Sequence, residues 1–297
     1  MTETAPSEEP AAPPRPALIP YLEEPMRDLA AWVRYFGPAA LPILAKTSTE
    51  IEALREIEEN VNAGMLAPVI QHDPLLTIKF FANVASRRRK ADQTETETVM
   101  SSLVMAGVAP FFRDFGVQLT VEDQLHAQPK ALQGLMDVLT RSQRAAHFAM
   151  AFAVHRGDTD AEVIYQAALL HDMAEMLMWC HAPTLAMEIR AMQKANPTLR
   201  SAALQRFVYN IELDDLRQEL MKIWRLPSLL VRVCDGKHPE HPSVRSVTLA
   251  VRLARHTTHG WDNAALPDDI NDIALLLNSN VRVVTSFLRK IEAGMDS

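Results

Sequence analysis

The residues of this chain best suited to chemistry are His171 and Asp172, inside the run Ala168-Leu169-Leu170-His171-Asp172-Met173-Ala174-Glu175. An imidazole and a carboxylate side by side after an apolar helical run can reach into a space between helices and hold a divalent metal. The same pair can instead hydrogen-bond within a packed core. Glu175 lies four residues after His171 and shares its helix face. A second cluster is His238-Pro239-Glu240-His241. A His-x-x-His pair chelates from a helix, but Pro239 opposes a regular helix and favours a polar loop. His256 and His259 precede Gly260 and read as surface residues. Arg87-Arg88-Arg89-Lys90 is the strongest basic run. No aromatic residues interleave it, so it reads as a solvated loop rather than a nucleic-acid site. Phosphate-cradling glycine loops, nucleophile elbows and His-Glu-x-x-His metal motifs are absent.

These side chains need helices to position them. Ile51, Leu54, Ile57 and Val61 recur at helical spacing after Thr49 and Glu52, which form a candidate capping box. Further helical regions span 66–85 (broken at Asp73-Pro74), 96–113, 135–156 and 161–181. Leu213, Leu216, Leu220 and Ile223 form another stripe, ended by Pro227, and Val281, Val284, Leu288 and Ile291 form the last. Alanines 145, 146, 149, 151 and 153 allow neighbouring helices a close approach. No stretch alternates convincingly at strand spacing, and no repeat is visible. The fold class is all-α, a compact multi-helix bundle.

Composition agrees. The chain has 297 residues, 48% hydrophobic and 23% charged, with only 9 Gly against 19 Pro. A fold of many tight β-turns would use more glycine. Net charge is −7, against broad binding to a phosphate backbone. No apolar run has the length of a membrane span. The acidic N-terminus lacks a signal-peptide pattern. Cys180 and Cys234 form no Cys-x-x-Cys and read as reduced core residues. A cytoplasmic location follows as the expectation. Residues 1–20, rich in Pro, Ala and Glu, are expected to form a disordered tail.

Four stretches in order resemble one family. Asp73-Pro74-Leu75-Leu76-Thr77-Ile78-Lys79 with Ala82-Asn83 is similar to its DPxLTxKxLxxAN segment. Residues 98–107 are similar to its next helix, with Met105-Ala106-Gly107 in place of Leu-Gly. Ser142, Ala146, Ala149 and Ala153, then Ala168 to Asp172, are similar to HSxxxAxxA…GLLHDIGK. Trp224-Arg225-Leu226-Pro227 with His238-Pro239 is similar to WxLPxx…HHxP. Together they resemble the HDOD family, the HD-related output domain of bacterial signalling proteins, across residues of about 41–257. The resemblance implies an HD-like bundle over 21–293, with an N-terminal helical part (21–130) and an HD-like part (131–293).

The resemblance also implies descent from HD-type phosphohydrolases, whose His, His-Asp and distal Asp hold metals that activate water. His171 and Asp172 match the doublet. The first His falls at Arg141, a middle His falls near Leu213 or Asp214, the His-His pair becomes Lys237-His238, and the distal Asp falls at Val251. Most ligands are therefore missing. The expectation is a vestigial pocket of Arg141, His171, Asp172, Lys237 and His238 without a catalytic residue, cofactor or metal; any metal would fall to His171, Asp172 and His238. Asp172 is expected to pair with Arg141 instead. The implied function is a non-catalytic regulatory module that contacts signalling proteins, with neither nucleic acid nor membrane as partner. Two alternatives stand beside it. One is a metal-dependent phosphohydrolase or phosphodiesterase. The other is a regulator that holds a nucleotide or other phosphate-bearing ligand on Arg141, Lys237 and His238.

Overall fold

A computed structural model describes residues 16–37, 39–87, 95–196 and 198–295. The N-terminal part comprises α1 (Leu29–Phe36), α2 (Ala45–Arg55), α3 (Ala63–His72), α4 (Pro74–Arg87), α5 (Val99–Ala106), α6 (Val108–Asp114) and α7 (Val121–Gln124). The central helices are α8 (Pro129–Arg156), α9 (Ala161–Leu169), α10 (Met173–His181), α11 (Pro183–Ala195), α12 (Ser201–Tyr209) and α13 (Leu213–Ile223). The chain closes with α14 (Ser228–Val233), α15 (Pro242–His256), α16 (Leu266–Leu276) and α17 (Val281–Met295). Among the described residues there is no strand, only a single bridge between Ile43 and Thr120. None of these helices is long and apolar enough to cross a membrane.

The 28-residue α8 is the axis of the molecule. Its buried Ala145, Ala146, Ala149 and Ala153 carry little side-chain bulk, and α9 and α15 pack most extensively against it. Three of its arginines then face different neighbours. Arg141 meets the α9–α10 turn, Arg144 meets Thr257 (2.7 Å) and Glu292 of α17 (2.5 Å), and Arg156 meets Asp158 and Ser246. Cys180 and Cys234 are buried and free. Burial pushes both thiols up, that of Cys234 to about 12.

Three sequence expectations change at element boundaries. Thr49 does not cap a helix. It lies inside α2, its hydroxyl donating to Ala45 O at 3.1 Å. The cap comes from distant carboxylates: Leu44 N–H donates to Asp73 Oδ2 (2.8 Å) and Ala45 N–H to Glu122 Oε2 (2.9 Å). Orphan amides at a helix start need only an acceptor, whatever its sequence distance. Region 96–113 breaks at Gly107, whose φ of 87° favours glycine. Region 161–181 breaks at residues 170–172, between α9 and α10. The expected tail splits in two. Residues 1–15 lie outside the described residues, whereas Ile19 is pinned on both sides by Gln124, at 2.8 and 2.9 Å.

Asp73 serves two helices at once. Oδ2 takes Leu44, while Oδ1 accepts from Leu75 (2.9 Å) and Leu76 (3.0 Å) at the start of α4. The residue is fully buried. Asp73→Ala is therefore expected to lower stability by about 3 kcal/mol, as cap loss and unsatisfied buried amides add. Urea unfolding measures this, and a loss below about 1 kcal/mol would show that water replaces the carboxylate.

Candidate functional site

Asp172 sits in the turn between α9 and α10, with φ −97° and ψ 19°, outside regular helix. The turn is held open by Arg217 of α13, which is 3% exposed. Its Nη1 donates to the His171 carbonyl (2.9 Å) and to Asp214 Oδ1 (2.9 Å), and its Nη2 donates to Cys234 O (3.0 Å). That guanidinium takes up a carbonyl which an uninterrupted helix would bond internally. The His171 and Asp172 side chains consequently come together instead of diverging around a helix. His171 Nδ1–H donates to Asp172 Oδ1 at 2.9 Å.

Both oxygens of Asp172 are fully engaged. Oδ2 accepts from Arg141 Nε (3.0 Å) and Nη2 (2.7 Å). Oδ1 accepts from His171 and from Arg255 Nη2 at 2.5 Å. Arg141 also reaches Glu175 Oε2 at 2.8 Å. Four donors on two oxygens fill the acceptor capacity of a carboxylate. Asp172 is only 6% exposed. Burial by itself would raise its pKa, but Arg255 and Arg141 overcome this and hold it well below the usual carboxylate range. Arg141 is half-buried, which by itself would lower its pKa, yet Asp172 and Glu175 drive it up, so it stays charged. The His171 imidazole is held below its ordinary value by burial first and by Arg217 second, with Asp172 opposing.

The expected pocket residues separate into two groups. Arg141, His171 and Asp172 meet in this cage. Lys237 and His238 lie outside it, in the turn that follows Cys234. There the Lys237 backbone N–H donates to Asp235 (3.1 Å), and His238, 68% exposed, faces Glu240 at 3.2 Å. Pro239 keeps this segment from continuing as a helix. Val251 is buried in α15, so no acid stands at the distal position. Arg217 of α13 and Arg255, one turn further along α15, are the residues that sequence reading missed, and only Arg255 left a signal. The signal for Arg255 was its spacing of four from Val251, which puts both on one helix face. His256, expected at the surface, is half-buried and its Nδ1 pairs with Asp269 Oδ2 at 2.5 Å. Of the basic run, Arg87 pairs with Asp114, and residues 88–90 lie outside the described residues.

The donor set does not fit a metal. Among the described residues no group of three or more His, Cys, Asp or Glu side chains converges. The one buried carboxylate of the doublet already carries two guanidiniums, whose fixed charge repels a cation. The cage can hold two helices and a turn in register, through α8, α15 and the α9–α10 link. With both oxygens of Asp172 taken by guanidiniums, its carboxylate is unsuited to hold a cation. A cavity of about 500 Å³ opens beside it, bounded by Arg141 and Glu175 on its polar side.

Comparison with known proteins places this geometry. The MmoQ response regulator of Methylococcus capsulatus str. Bath has a similar structure, with a TM-score of 0.58 and 19% identity over 80% of this chain and 98% of that one. A virulence factor from Campylobacter jejuni subsp. jejuni is also similar, with a TM-score of 0.55 and 14% identity over 84% of this chain and 89% of that one. At such identities the likeness shows the fold alone. A comparison with curated proteins finds no match. The model of the HDOD domain matches residues 41–239. That match spans most of the helices that build the cage, including the His171-Asp172 turn, and with it this chain belongs to the HDOD domain family.

Proposed function

We propose that the chain is a regulatory module that works through contacts with signalling proteins in the cytoplasm, and that it hydrolyses no phosphate ester. The observation that carries this reading is the cage: Arg141 and Arg255 occupy both oxygens of Asp172, the one carboxylate of the His-Asp doublet. A hydrolase of this ancestry needs a metal-bound water as nucleophile. Membership of the HDOD family supports a regulatory role, and one of the fold neighbours is itself described as a response regulator.

Metal content tests the reading. Elemental mass spectrometry of purified, untagged protein after mild dialysis is expected to find iron, manganese and zinc near zero. One or two equivalents would overturn it, and phosphodiesterase assays with a His171→Ala control would then follow.

A further inference from the structure

The N-terminal helices carry an apolar patch that the core does not cover. Glu162 of α9 accepts from Gln71 in the last turn of α3 (2.6 Å) and from the Met100 N–H in the first turn of α5, so these two packed helices run antiparallel. The start of α3, with Met65, therefore lies level with the end of α5, with Val104 and Met105. Residues 55–60 and Ala109, two positions past the Gly107 that ends α5, line one concave surface of about 710 Å³, which brings Ile57 to the same corner. Val104 is 69% exposed, Met105 62%, Ile57 46% and Met65 39%. The core faces of these helices are filled by Leu66, Ile70, Val99 and Leu103, so the exposed set is surplus to packing. An apolar surface rimmed by charge marks a protein contact, and the flexible thioether of methionine adapts to a partner's shape.

The rim of this surface is acidic. Glu56, Glu58 and Glu59 line it, and none of them forms an ion pair with another described residue. Arg55 is the one cation among the lining residues, and it is turned inward. Its Nη1 donates to Phe112 O (2.8 Å) and its Nη2 to Phe115 O (2.6 Å), its Nε faces Glu52 at 3.2 Å, and its guanidinium lies 5.2 Å from the centre of the Phe112 ring. Three negative charges are thus left uncompensated beside apolar side chains. Anionic lipid headgroups and phosphate backbones are repelled by such a rim. A second copy related by a two-fold axis would set the glutamates against their own images. The complement of the surface is cationic and amphipathic.

We propose that this surface docks a basic amphipathic helix of a partner protein. The apolar face of that helix seats on Ile57, Met65, Val104 and Met105, and Lys or Arg along its border face Glu56, Glu58 and Glu59. This deepens the regulatory reading and rests on it, adding where a partner is met and by what chemistry. Metal content decides that reading, and peptide binding decides this one.

The probe is a synthetic helix of about five turns, with leucines on one face and lysines on the other, read by fluorescence anisotropy against the full chain. It is expected to bind saturably, at least about tenfold tighter than a peptide of the same composition whose leucines are spread around the helix, and to weaken as salt rises. Glu56→Lys, Glu58→Lys and Glu59→Lys together are expected to abolish this binding and to confer binding of the leucine–glutamate counterpart. The same change of net charge made by Glu24→Lys, Glu188→Lys and Asp262→Lys, at exposed residues outside the patch, is expected to leave binding intact. Val104→Ser with Met105→Ser, at exposed positions where folding tolerates the change, is expected to weaken the lysine peptide at least about tenfold. Equal binding of the two lysine peptides, or of neither, would overturn the proposal. So would undiminished binding by the charge-reversed or the serine variant, or an equal loss in the distant triple variant.

Discussion

Asp172→Ala is expected to lower the free energy of unfolding by about 4 kcal/mol, among the larger effects available to a single substitution in this chain. The carboxylate is 6% exposed and accepts four hydrogen bonds, three of them from guanidinium groups. Without it, Arg141 retains only Glu175, and Arg255 and His171 lose their shared acceptor. The loss reflects a stranded Arg141 more than the net worth of the pairs, since removing its buried partner leaves that guanidinium poorly hydrated, whereas Arg255, 46% exposed, can turn to water. The double variant Arg141→Met with Asp172→Leu should therefore recover part of the loss, because two of the mismatched groups leave together. Urea unfolding of both variants at neutral pH measures the difference. A single-variant loss below about 1 kcal/mol would mean that water screens the cage and that it contributes little to the fold.

The second large effect concerns acid. His181 is fully buried, with Nε2–H donating to Ala40 O (3.1 Å) and Nδ1 accepting from the Tyr35 hydroxyl (3.0 Å). Both ring nitrogens are satisfied in the neutral form. Burial pushes the imidazole down to about 4 from an ordinary 6.5, with the Ala40 carbonyl opposing. Between these values the unfolded chain binds the proton and the folded chain does not, so stability rises with pH there. The expected loss from pH 7 to pH 4 is about 3 kcal/mol from this residue. His171, also lowered, adds in the same direction. Asp172 contributes only at more acid pH, since its folded pKa lies well below the unfolded one and its stabilisation fades as pH falls below the usual carboxylate range. His181→Gln keeps a donor and an acceptor but cannot titrate. Its thermal midpoint should fall less steeply with acid than that of the parent protein, and parallel slopes would show that the acid sensitivity lies elsewhere.

The helical class was legible in the spacing of apolar residues, because each stripe reports a face that must be buried. Helix ends were less legible. The α2 cap is supplied by Asp73 and Glu122, 29 and 77 residues away, so no local pattern could reveal it. The Arg141–Asp172 contact was readable, because the family pattern puts both positions in one pocket and the residue types are complementary. Arg255 was not: the ancestral pattern directs attention to Val251, and only the rotation of α15 shows which side chain reaches across. Lys237 and His238 were placed in the pocket by their match to a His-His pair. Their separation from it depends on the path of a Pro-containing turn, which spacing does not encode.

Asp73 joins what the chain keeps apart. The start of α2 and the start of α4 share one carboxylate, so neither end can fray without withdrawing an acceptor from the other. Glu122 adds a third strand of dependence from α7. Helices that seem autonomous in sequence thereby become one cooperative unit, whose amides open to solvent together. The first turn of α2 is completed only with the α4 and α7 segments packed beside it, so its amides are expected to exchange with solvent at the rate of theirs, which hydrogen exchange measures.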